Sequence, residues 1–459
     1  MFSTAIARLF CAIVLCACVP ICVAQMTAFY NERLTEVPTD HNSQQQKLAD
    51  LLAARRWLEN SPKSAEASVA VGRALRGLGE SEAASRAFQR ALVLDPSSAQ
   101  ALLENGSTLA NAGEWLRAAE LFRRAINSSP NLAAAHIALG ETLLRTGEFD
   151  NSKNELMAAL HLDPDSAGAY QGLGLIELQE GNFNNAASSF GYALKIRPEY
   201  LDAKRGLAHA FIYEHKWAQA SELLKQVLTS NPNSSEETFS LATALSRMGE
   251  KTQAEALFAK ARQLSQKEVI TLRVKGENNS GIALRNAGNV EDAAAQFRRA
   301  IAEDASFCEA YDNLGGVLWL QKDGPDALSE FQQAVTCNPH LASARNNLGN
   351  ALLYSQHDLD GAILQFRVAV ELRPAFALAR FNLGKALAAK QRFTEAESEF
   401  RYALAIEPGM AGAHIGLGLL LVSHNGQISD EARAELQRGL QLDPGLRPQV
   451  PSRYLAQLP

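Results

Sequence analysis

Cysteine is scarce and badly placed for a stapled scaffold. Of six, Cys11, Cys16, Cys18 and Cys22 crowd near the amino terminus, and only Cys308 and Cys337 follow. A disulfide-dense small-domain architecture is therefore excluded, and the Cys308 and Cys337 pair has no metal-ligand spacing. Aromatics are few, at 7% of residues, so the core must be built mainly from alanine and leucine. No run of Lys or Arg stands out and the formal net charge is −6, which removes the basic footprint that nucleic acid requires. The nine histidines include no i, i+4 pair with an intervening glutamate, so a zinc-helix enzyme is excluded and no metal is expected. Gly-x-Ser-x-Gly, Walker and dinucleotide signatures are absent, which implies neither cofactor nor catalytic residues. Gly172-Leu173-Gly174 fits a helix interior better than a phosphate loop, and Glu236 and Glu237 suit a helix start, where acids meet the helix dipole.

What the chain has is a period. Pro62, Pro96, Pro130, Pro164, Pro198 and Pro232 stand 34 residues apart. Between Pro164 and Pro198, Leu173 and Gly174 lie nine and ten residues after the proline, with Gly181, Ala186, Phe190 and Ala193 following. These spacings put one apolar stripe on each of two helices. Gly174, inside the first helix, costs roughly 1 kcal/mol against alanine. That cost implies that the second helix presses against it. Gly181 supplies a left-handed residue to end the first helix, and proline stops the second.

The pattern recurs. First-helix glycines are Gly72, Gly106, Gly140, Gly174, Gly281, Gly315, Gly349, Gly384 and Gly418. The second-helix aromatics are Phe88, Phe122, Phe190, Phe258, Phe297, Phe331, Phe366 and Phe400, each four residues after a small alanine such as Ala84 or Ala186. Ala208 and Ala242 replace the glycine, Ser152 the alanine, and Leu156, Leu224 and Leu436 the aromatic. This resembles the tetratricopeptide repeat family over most of the sequence. The resemblance implies an all-α, right-handed superhelical solenoid of helix–turn–helix repeats, whose concave groove of first helices binds peptides or partner helices.

Residues 1–24 read as a signal peptide. Arg8 supplies the charge and Leu9–Ala24 the apolar run, interrupted by Pro20, with cleavage expected before Gln25. Residues 25–62 read as a mobile leader followed by an N-terminal capping helix over Gln44–Asn60, with Leu48, Leu51, Leu52, Ala54 and Trp57 on one side. Six repeats occupy 63–266. Gln266 then takes the proline's place and five extra residues fall before the next repeat, which predicts either a longer helix or a joint near 266–280. Five repeats occupy 267–444, with small insertions near His357 and Asn425, and 445–459 reads as an extended tail. The fifteen residues after Pro444 leave no room for a catalytic domain.

Eight residues after the proline position stand Asn279, Asn313, Asn347 and Asn382, where the first array has Ala70, Glu104, Ala138, Gly172, Gly206 and Ser240. This looks like the asparagine ladder in the repeat domain of protein O-GlcNAc transferases, and it implies amides that pair with a peptide backbone. A purely family-typical asparagine before Leu-Gly is the plainer reading. Asn350 and Lys385, with Asn346, Arg345 and Arg380, would add polar and cationic contacts, short of the complete carboxylate clamp of chaperone-binding relatives. His136 and His414 fit helix packing better than chemistry. Cys308 and Cys337 fall at helix ends that antiparallel packing brings together, so either a disulfide or two buried thiols is expected. The resulting expectation is an exported, non-catalytic scaffold, periplasmic or secreted, for a protein or peptide partner. The alternatives are a membrane-tethered assembly factor held by residues 9–24 and a regulatory fragment related to O-GlcNAc-type glycosyltransferases.

Overall fold

The computed structural model describes residues 41–425 and 428–458. The expected signal peptide and leader lie outside them. Every regular element among the described residues is helical, and consecutive helices pair from Ala65–Gly77 with Ser81–Leu94 through to Ala411–Asn425 with Asp430–Leu442. The long helix Lys251–Asn286 serves two successive pairs. Their contacts divide the described residues into two compact units, one of residues 57–73 and 81–271, the other of residues 41–56, 74–80 and those from 272 onward.

The glycine–aromatic pairing explains the packing inside each repeat. A methyl group added at Gly174 would lie 2.7 Å from the ring of Phe190, and at Gly281, Gly315 and Gly349 it would come equally close to Phe297, Phe331 and Phe366. The second helix's ring, rather than its backbone, occupies the space that glycine leaves. Where leucine replaces phenylalanine, Leu156 fills against Gly140 in the same way. The Ser152 hydroxyl, in the small-residue place, donates to the Gly140 carbonyl at 2.6 Å, which satisfies it in the core. Gly181 has φ 78°, as its helix-ending role requires.

The five-residue slip is resolved as continuity. Lys251–Asn286 is one helix of 36 residues, so the second helix of the sixth repeat runs on into the first helix of the seventh. With no proline or left-handed glycine between, nothing interrupts the hydrogen-bond ladder there.

Both ends differ from the sequence reading. The tail is not extended. Pro444–Gln449 forms a 3-10 turn and Ser452–Leu455 a short helix, and Val450 and Tyr454 are buried in the core of the last repeats. The amino-terminal helix, His41–Asn60, buries Leu48, Leu51, Ala54 and Leu58, while Trp57 is 47% exposed. Its Arg55 guanidinium donates to the carbonyls of Ala405 (2.7 Å) and Ile406 (3.2 Å), at the carboxyl end of helix Phe393–Ile406. A cation there suits the unpaired carbonyls and the helix dipole.

Candidate peptide-binding face

The four asparagines do not form one class. Asn313, Asn347 and Asn382 each donate to a side chain of the preceding repeat: Asn313 to Asn278 Oδ1, Asn347 to Asp312 Oδ1 and Asn382 to Asn346 Oδ1, each at 2.9 Å. Arg285 Nη1 donates to Asn313 Oδ1 at 3.4 Å, and Asn346 Nδ2 to Asn347 Oδ1 at 3.3 Å. The ladder is thus a cross-repeat interlock whose acceptors stand one residue before each asparagine position. Sequence reasoning missed Asn278 and Asp312, although the recurrent Asn-Asn, Asp-Asn, Asn-Asn doublets were the available signal. Asp312 is buried, and burial raises its carboxyl above the usual range against the opposing hydrogen bonds of Ser343 and Asn347 and the charge of Arg285. Asn279 differs: it is exposed and makes no hydrogen bond to another side chain.

Two of the three cations expected on the face, Arg345 and Arg380, are also engaged. Arg345 and Arg380 are only 4% and 5% exposed. Arg345 donates to the Pro339 carbonyl (3.1 Å) and Gln365 (2.8 Å), Arg380 to the Pro374 carbonyl (2.6 Å) and Glu399 (2.8 Å). They belong to a recurring staple six residues after the proline position, and are not peptide contacts. His136 occupies the same place against the Pro130 carbonyl and Glu155, and His414 against the Pro408 carbonyl (2.9 Å) and Glu435 (2.5 Å). Each staple ties the turn that opens a repeat to both of its helices. Burial pulls the His414 pKa down, but the hydrogen bonds to Glu435 and the Pro408 carbonyl and the Glu435 charge outweigh it, so it is raised overall.

What remains available in the second unit is a strip across three successive first helices, Cys308–Leu320, Ala342–Ser355 and Ala377–Ala389. Trp319 and Tyr354 have ring centroids 6.3 Å apart, and Tyr354 is 41% exposed. Lys385 Nζ donates to the Tyr354 hydroxyl at 3.1 Å and sits 5.3 Å from the Phe381 ring and 5.8 Å from the Tyr354 ring. Among the described residues no carboxylate pairs with Lys385. Asn350, one repeat earlier at the position matching Lys385, is half-buried with its amide unengaged. In the other unit, a cavity of about 890 Å³ opens beside Tyr213, Phe239 and Phe258.

Cys308 and Cys337 are joined, with Cα atoms 5.5 Å apart. Among the described residues there is no cluster of three or more His, Cys, Asp or Glu able to hold a metal ion. None of their helices is long and apolar enough to cross a membrane, and the tether considered from the sequence lies outside them.

Residues 34–277, more than half of the chain, match the tetratricopeptide-repeat model of the C-terminal domain of cilia and flagella-associated protein 70. Residues 278–342, 346–411 and 381–447 match the general tetratricopeptide-repeat model. The chain belongs to the tetratricopeptide-repeat family. No curated protein matches this tetratricopeptide-repeat chain significantly. Among solved structures, Pseudomonas aeruginosa PilF is 19% identical with a TM-score of 0.40, over 44% of this chain and 91% of its own. The APC/C hetero-tetramer Cut9–Hcn1 is 14% identical with a TM-score of 0.35, over 88% and 92%, and yeast Tom70 16% identical with 0.32, over 82% and 92%. Likenesses at this level carry no argument about partners. Family membership makes the chain a repeat scaffold of the kind used for protein–protein interaction.

Proposed function

We propose that this tetratricopeptide-repeat protein is a non-catalytic scaffold that holds a segment of a partner protein along the first-helix strip of its second unit, and that it works outside the cytoplasm. Lys385 carries the reading. The ammonium of a half-buried lysine, set against two aromatic rings and without a carboxylate partner among the described residues, is a cation awaiting a carboxylate. Trp319, Tyr354 and Phe381 offer faces for an apolar side chain beside it, and the free amides of Asn350 and Asn279 can pair with an extended backbone. The partner segment is therefore acidic and apolar in alternation. Arg8 with the apolar run to Ala24 supports export, as does the joined Cys308–Cys337 pair in a chain that otherwise keeps cysteine out of its repeats.

The test is calorimetric titration with short peptides that place Asp or Glu beside Phe or Leu. A charged hydrogen bond contributes about 1.5–3 kcal/mol, so Lys385→Met should weaken binding about tenfold or more while leaving thermal unfolding unchanged. Equal binding by the variant, or equal binding of basic counterparts of the peptides, would sink the strip as the site. Amino-terminal sequencing of the secreted protein should begin at Gln25; retention of residues 9–24 would favour a tethered form.

A further inference from the structure

In the regular repeats, each first helix packs on both helices of the repeat before it. Its residue eight after the proline position then lies directly on the large side chain of the preceding second helix. Gly172 covers Leu156 and Gly416 covers Phe400, so closely that an added methyl would come within 2.8 and 2.9 Å, and Gly206 covers Phe190 in the same manner. Those side chains are fully enclosed between two first helices.

The sixth repeat lacks this cover. Its second helix continues straight through Lys251–Asn286, so Asn279, the residue that would cover Phe258, stands 21 positions further along the same helix. At 1.5 Å per residue that is roughly 30 Å away. The place of the missing helix stays open as the 890 Å³ cavity. Phe239 is 57% exposed there and meets Phe258 edge-on at 5.3 Å, while Ser240, Thr243, Ala261 and Ser265 keep the walls low. Helical spacing continues the Phe258, Ala261, Ser265 stripe to Val269, which is 53% exposed. Glu236 and Arg262 flank the cavity, and neither makes an ion pair among the described residues.

We propose that this slot docks an amphipathic α-helix of a partner protein, one that sets a glycine, alanine or serine against Phe258 with leucine beside it, as the chain's own first helices do at Gly172, Gly206 and Gly416. The site is distinct from the strip around Lys385 and takes a helix rather than an extended segment.

A hydrocarbon-stapled, fluorescein-labelled peptide of residues 200–216, the segment that covers Phe190, serves as the probe, with the staple on the face opposite Gly206. Anisotropy titration against the full chain should show saturable binding. The same peptide carrying Gly206→Phe should bind at least tenfold more weakly, and the chain variant Ser240→Trp, which fills the slot, should lose binding with its helical circular dichroism intact. Absence of saturable binding, or equal affinity of the Gly206→Phe peptide, overturns the proposal without requiring any variant of the chain to fold. A concentration-dependent dimer in sedimentation velocity that Ser240→Trp abolishes would also overturn it, by assigning the slot to a second copy.

Discussion

Two buried titratable side chains carry pH signatures of the same sign from different causes. His414 presents both ring nitrogens to acceptors, the Glu435 carboxylate and the Pro408 carbonyl, and only the imidazolium donates to both. Its folded pKa is raised despite burial and the nearby Arg438 charge, so its contribution is complete below the ordinary histidine value of about 6.5 and is lost as pH rises through the higher folded value. Amide exchange in residues 408–442, corrected for intrinsic rates, should therefore quicken as pH rises above about 6.5, and His414→Gln should remove that dependence. An identical slope in the variant would refute the staple's pH role. Asp312 acts in the same direction over a more acidic range. Burial raises its pKa, so folding favours protonation relative to the unfolded chain, and stability falls as pH climbs from about 3.9 through the raised value. Asn278 and Asn346 do the same accepting job in the neighbouring repeats without charge. Asp312→Asn is expected to stabilise the protein at pH 7 by about 0.5–2 kcal/mol in urea unfolding and to lose that advantage near pH 3. A destabilised variant at pH 7 would show that the Arg285 charge outweighs burial.

Helices in this chain are shaped by what their glycines face. Gly174 and Gly276 both lie inside helices, and by propensity alone alanine should stabilise either by about 0.8–1 kcal/mol. An added methyl at Gly276 meets nothing within 4 Å, whereas at Gly174 it would meet the Phe190 ring at 2.7 Å. Overpacking costs about 1–3 kcal/mol, so Gly174→Ala should lower the denaturant midpoint and Gly276→Ala should raise it. Two shifts of the same sign would contradict the ring-on-glycine account. The long helix follows from a related local cause: Gln266 stands where other repeats place proline, and the residues to Asn286 contain no other stop.

At the scale of the whole molecule, a covalent link ties part of the second unit together. The Cys308–Cys337 bridge spans 29 residues and ties the start of one helix to the end of its partner, while leaving the other unit without any cross-link among the described residues. On the chain-entropy estimate a loop of this length contributes roughly 3–4 kcal/mol, less native strain. Reduction should lower the melting temperature and speed amide exchange in residues 272–442 while sparing 81–265. Thiol counting on denatured, unreduced protein checks the link directly, and two free thiols per chain would remove it.

The period, the helix pairs and the recurrence of a glycine and an aromatic in each were legible in residues alone, because each is written again every 34 residues or so, whereas the seating of the ring on the glycine was not. The site was legible only in outline. Lys385 and Asn350 stood out as polar first-helix positions, but Asn313, Asn347 and Asn382 gave the same signal while their amides are spent on the repeat before. The Arg345 and Arg380 staples, the docking of Tyr454 on the last core and the Arg55 contact 350 residues away have no periodic signature. Nor does the uncovered Phe258, whose sequence position is indistinguishable from that of the enclosed Phe190. Sequence fixes which residues recur at a given turn of a helix; whether a donor finds its acceptor within 3 Å, or a ring its cover, depends on the stacking of one repeat on the next, and only the tertiary structure decides that.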